Sequence, residues 1–157
     1  MLYWYFFLSV LGGVLLQNFL LRGMFQTIKL DLTEMDNWWF YFSSNSLTCL
    51  FIMAGIFIYA IPTIFLLIFN GIIIGITVVA TVDQGASIEQ IILALLPHGI
   101  LEVPAIIIAG MVGLKGLTFY HKEKDRLYYI KIIKSAAFVF FLLFLASFIE
   151  AYISVPI

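Results

Sequence analysis

The sequence predicts an all-α integral membrane protein of about five transmembrane helices, with kinked or broken central helices and one interfacial amphipathic helix. Three observations lead there. Of the 157 residues, 64% are hydrophobic and 11% are charged, whereas a soluble domain is about half apolar and about a quarter charged. A chain this short has too high a surface-to-volume ratio to hide so much apolar side chain from water, and its mean hydropathy is +1.12. The apolar runs reach or exceed the roughly 20 residues that cross a bilayer. The length fits a single multi-pass domain over residues 1–157. A net charge of −1 comes with no basic groove, and nucleic acid is not an expected partner.

The first span is expected from Leu2 to about Leu21. It is apolar from the start, with no positive leader and no small-residue cleavage site, so it reads as a retained span and not a signal peptide. Tyr3, Trp4 and Tyr5 suit an interface. From Arg22 to Trp39 the character changes. Phe25, Ile28, Leu32 and Met35 recur at helical spacing between charged residues, with Trp38 and Trp39 closing the segment. That pattern predicts an amphipathic helix, lying on the membrane surface or packed as a lid.

Ser43 to Val82 carries almost no charge and is too long for one span. Pro62 divides it. A hairpin around Tyr59 to Thr63 gives spans of about Asn45 to Ala60 and Pro62 to Val82; a re-entrant element is the alternative. Gly55, Gly71 and Gly75 permit close helix approach, the last two at small-xxx-small spacing. Ser87 is a candidate N-cap, with Gln90 completing a capping box. The fourth span is then expected from Ile88 to about Leu114. Pro97 and Pro104 inside it withdraw N–H groups from the carbonyls of Leu93 and Ile100, and so predict a kink. The last span is expected from about Ile132 to Ile153. The lone cysteine, Cys49, has apolar neighbours and suits packing better than redox chemistry.

Charge sets an expected orientation. Six of the eight Lys and Arg lie between Lys115 and Lys134. By the positive-inside tendency that block is cytoplasmic, which puts the N-terminus inside and the C-terminus outside a cell membrane. His121, within the block, reads as a solvated surface residue.

The chemistry is concentrated in Pro97-His98-Gly99-Ile100-Leu101-Glu102-Val103-Pro104. His98 and Glu102, four residues apart, share one helix face. Ionisable groups at membrane depth are expensive and point to a function. Depth counted along the expected spans puts Glu102 and Asn70 near the midplane, with His98 and Glu150 closer to the outside and Asn45 at the outer rim. Three readings stay open for this set. The polar side chains satisfy one another and hold helices together. Or they line a site for a peptide, a proton or a lipid headgroup, with Asn45 and Asn70 in the polar pocket. Or His98, Glu102 and Glu150 bind a divalent metal, most suitably zinc, and act catalytically, with a glutamate as base on metal-bound water. There is no nucleotide-binding, serine-nucleophile or HExxH motif, so energy coupling would need an ATPase subunit from elsewhere.

Leu96-Pro97-His98-Gly99-Ile100-Leu101-Glu102-Val103-Pro104-Ala105, the earlier Asn70-Gly71-Ile72-Ile73-Ile74-Gly75 and the late Ala146-Ser147-Phe148-Ile149-Glu150-Ala151 resemble the stage II sporulation protein M family, from about Asn45 onward. The resemblance implies a multi-spanning helical membrane protein whose family polar positions fall here on Asn45, Asn70, His98, Glu102 and Glu150. It implies work within a larger envelope complex. One kind of member acts in sporulation-type peptidoglycan remodelling, with cell-wall hydrolases as partners. Another is encoded with circular bacteriocins and is implicated in peptide maturation, export or self-protection, beside other membrane subunits and an ATPase subunit. The short chain favours the second kind. A metal-dependent intramembrane peptidase or peptide ligase is the enzymatic alternative.

Overall fold

The computed structural model describes residues 2–19, 38–85, 87–121 and 123–152; the side chains at positions 2, 3, 5, 16–19, 93–98 and 150 fall outside that description. Six α-helices follow one another: α1 (Leu2–Phe19), α2 (Trp38–Ala54), α3 (Ile61–Asp83), α4 (Ile88–Gly113), the single turn α5 (Gly116–Phe119) and α6 (Arg126–Tyr152). Among the described residues there is no strand. Four stretches are long and apolar enough to cross a membrane, Trp38–Phe57, Ile61–Asp83, Gly99–Phe119 and Arg126–Ile149, and α1 adds the shorter apolar stretch Phe6–Leu15. The amphipathic segment expected over residues 22–37 lies outside the described residues.

The long uncharged stretch resolves into a hairpin. α2 tightens into a 3₁₀ turn, Gly55–Phe57, and Tyr59 and Ala60 then take left-handed conformations, with φ of 48° and 62°. Such backbone costs roughly 1–2 kcal/mol per residue without glycine. Here the Ala60 N–H donates to the Gly55 carbonyl at 2.8 Å, which closes the turn. Pro62 enters in the first turn of α3, where a missing N–H leaves no bond unmade. The capping box forms as the sequence predicts: the Gln90 N–H donates to Ser87 Oγ at 3.3 Å and the Ser87 N–H donates to Gln90 Oε1 at 2.8 Å. α4 then runs unbroken past Pro97 and Pro104 to Gly113.

Two boundaries fall earlier in the chain than expected. α2 is helical from Trp38, seven residues before Asn45. Trp38 stacks on Phe148 with centroids 5.0 Å apart and meets Phe144 edge-on, so the tryptophan pair opens a span instead of closing the amphipathic segment. α6 starts at Arg126, not near Ile132. Asp125 Oδ1 accepts the Tyr128 N–H at 2.8 Å and caps it.

The centre of the bundle is built from α2, α4 and α6. Cys49, Ile52, Ala105, Ala109, Val139 and Leu143 form its fully buried core. The alanines of α4 keep that helix near its neighbours. α1 lies against α3 and follows its direction, since Phe6 and Ser9 sit at Gly71, and Val10 to Val14 at Gly75. A side chain at Gly71 or Gly75 would overlap α1, which is the physical reason for small residues there. Large apolar side chains such as Phe7, Phe51, Phe65, Ile133 and Phe141 point outward, as they must where lipid is the solvent.

Candidate functional site

α2 and α4 run in the same direction. Asn45 pairs with Glu102, and further along the Ile52 carbonyl lies where a side chain at Gly113 would go. Between these levels the two helices bring together one amide and one carboxylate. Asn45 Nδ2 donates to Glu102 Oε1, and both residues are half-buried. Glu102 is fourteen residues from the start of α4 and eleven from its end, roughly 21 Å and 16 Å along the axis. It therefore falls near the middle of α4. Asn45 lies seven residues into α2, roughly 10 Å from the helix start. The early start of α2 carries it inward from the rim and sets it opposite Glu102.

Asn70, expected near the depth of Glu102 and in the polar pocket, donates its Nδ2 to the Leu66 carbonyl of its own helix at 2.8 Å. His98 lies in α4 one turn before Glu102 and Glu150 near the end of α6, but their side chains are outside the described residues. Among the described residues, no group of three His, Cys, Asp or Glu can hold a metal ion. The proposed zinc set depends on two side chains beyond that description. His121 is exposed, in the link after α5.

The wall next to Asn45 is also specific. Cys49, one turn on and on the same face, is fully buried. It packs as a small core residue. Ser46 is buried as well, and among the described residues its hydroxyl has no hydrogen-bond partner. Serine in a helix usually returns its hydroxyl to a carbonyl of the preceding turn, as Ser9 and Ser147 do here toward Phe6 and Phe144. On the other side of Glu102, α1 and α4 frame an apolar groove of about 480 Å³ lined by Trp4, Phe6, Phe7, Val10, Val103 and Ile107. Val103 is the immediate neighbour of the site carboxylate.

The magnitudes indicate what this arrangement is for. A charged acidic residue at the centre of a membrane helix costs about 2.5–3.5 kcal/mol. An interhelical hydrogen bond in a bilayer returns about 0.6 kcal/mol on average and at most about 1.7 kcal/mol. Against that cost, the hydrogen bond from Asn45 is one contribution among the interactions of Glu102. Ionisable residues among membrane-spanning helices are rare and commonly functional, which makes Glu102 a candidate.

The fold and the site define a polytopic helical membrane protein with a polar pair between two of its apolar helices. Residues 2–155 match the family described as Stage II sporulation protein M. The chain belongs to that family. It is also similar, at 29% identity over 120 residues, to "Uncharacterized protein MJ0793" of Methanocaldococcus jannaschii; the match covers 71% of this chain and 67% of that protein. No solved structure matches it.

Proposed function

We propose that the protein is a membrane subunit of an envelope complex, and that its Glu102 site engages an apolar peptide or a partner helix. Peptide maturation or export of the circular-bacteriocin type is the activity that suits it best. The observation that carries this reading is the Asn45–Glu102 pair, an ionisable side chain set between two apolar helices beside an amide. The groove that α1 and α4 frame at Val103 and Ile107 supports it, because its apolar lining suits a hydrophobic peptide. His98, one turn away on α4, and Glu150 of α6 are the other residues we assign to the proposed site. Without a nucleotide-binding motif, energy would come from an ATPase subunit.

A photocrosslinking amino acid at Ile107, in the groove, tests the reading in membranes of the native cells. Capture of a small peptide or a second membrane subunit is expected, and Glu102→Ala should diminish it severalfold. Crosslinks to lipid alone, unchanged by Glu102→Ala, would sink the proposal. Stoichiometric zinc in the purified protein, lost in His98→Ala, would support the peptidase or ligase reading in its place.

A further inference from the structure

The end of the bundle opposite the Ser87 turn gathers cations and aromatic rings. The α2–α3 turn meets α5 there. Tyr120 donates its hydroxyl to the Phe57 carbonyl at 2.7 Å, and the Tyr59 and Tyr120 rings lie 5.0 Å apart. Lys124 Nζ sits 4.1 Å over the Phe119 ring, and Lys115 Nζ 5.4 Å from the centre of the Tyr128 ring. A lysine resting on a ring is held in place by about 0.5–1 kcal/mol at an exposed site, and its N–H donors still face outward. Among the described residues, Lys115, Lys124, Arg126, Lys131 and Lys134 have no carboxylate partner. Asp125 is engaged in capping α6. Five described cations thus stand against two carboxylates, Glu123 and Asp125.

We propose that this rim is a docking surface for anionic phospholipid headgroups. Its cations take the phosphate, and its rings sit at headgroup level. Charge is complementary: the surface of an anionic leaflet attracts each juxtamembrane Lys or Arg. Position agrees, since the rim lies at the helix ends, the level where tyrosine rings settle in a bilayer. The neighbours favour lipid over an acidic soluble protein. Phe57, Ile58, Tyr59, Ile61 and Leu117 are exposed beside the cations. In the interface these side chains enter the acyl boundary, whereas a soluble partner would leave much of them in water.

The test reconstitutes the full chain in nanodiscs of equal phosphatidylglycerol and phosphatidylcholine and reads the retained lipid by native mass spectrometry. The wild-type protein should keep phosphatidylglycerol severalfold in excess. Lys115→Gln, Lys124→Gln and Arg126→Gln should each lower the excess by up to about fivefold, and the triple variant should bring it to parity. Asp83→Asn, at the other end of the bundle, should leave it unchanged. Raising NaCl from about 0.05 to about 0.5 M should reduce the wild-type excess by screening. Equal retention of both lipids by the wild type would overturn the proposal. So would an excess that the triple variant keeps at unchanged helicity. If the triple variant fails to insert, the salt titration of the wild-type protein decides, because an excess indifferent to salt also overturns it.

Discussion

The two halves of the Asn45–Glu102 hydrogen bond have unequal alternatives. An asparagine amide in a helix can turn back to its own backbone, as Asn70 does toward the Leu66 carbonyl. A carboxylate cannot, since every backbone carbonyl near it is also an acceptor. Asn45→Ala should therefore lower stability by about 1–2 kcal/mol, because it takes a donor from an acid at membrane depth. Glu102→Ala should cost less, since it also removes the group that is expensive to bury. In a double-mutant cycle read by unfolding in mixed micelles, a coupling of about 0.6–1.7 kcal/mol is expected. Simple additivity would show that the two residues do not act as a pair. Ser46→Ala, which deletes a buried hydroxyl with no partner among the described residues, should be neutral or stabilising by up to about 1 kcal/mol in the same assay. A loss above that would mean the hydroxyl is satisfied in the bilayer. At this scale the carboxylate was legible in the sequence, as a charge inside an apolar run. Its amide partner was not. A helix start at Asn45 in place of Trp38 shifts α2 by seven residues, which at 1.5 Å per residue moves a side chain by roughly 10 Å.

Close approach of helices depends on a few positions at the Lys-rich end. A side chain on Gly113 would overlap the Ile52 carbonyl and the Thr63 hydroxyl, and one on Gly116 would overlap the Gly55 carbonyl. Thr63 itself donates to the Ile52 carbonyl at 2.7 Å and is fully buried. Backbone atoms cannot rotate away, so α2 and α4 must separate to admit a methyl group. Gly113→Ala and Gly116→Ala should each cost about 1–3 kcal/mol. Gly12→Ala makes the opposite case: it meets open space on α1 and should gain up to about 1 kcal/mol from helix propensity. Thermal melting of the three variants in one detergent checks the contrast, and a loss at Gly12 equal to that at Gly113 would refute it. The hairpin was readable from Pro62, because proline fits the first turn of a helix and not the middle of a long one. The starts of α2 and α6 were harder to read. Trp38 to Phe42 resemble an interfacial segment but form the first turns of a span. Lys131 and Lys134 resemble loop charges, yet they are exposed on the first turns of α6.

The helix directions set which parts of the whole molecule share a side. α1 follows α3, and α2 follows α4, so the start of α1, the α2–α3 turn and the α4–α6 link lie at one end of the bundle. The end of α1, the Ser87 turn and the end of α6 lie at the other. Composition suggested the same two-sided pattern from charge alone, because Arg and Lys were concentrated in one link. The Lys-rich end should face the cytoplasm, since translocating that block would work against the positive-inside bias. A Cys49→Ala background tests this, as it removes the one native thiol from a fully buried site. Ser87→Cys should react with a membrane-impermeant maleimide added to intact cells, and Thr118→Cys only after permeabilisation. Both positions are exposed at opposite ends of the bundle, so accessibility reports sidedness and not burial. The reversed pattern would invert the orientation and keep the fold. Labelling of both sites from one face would contradict the fold itself, because α4 separates Ser87 from Thr118 by its whole length, about 39 Å against a hydrocarbon core of about 30 Å.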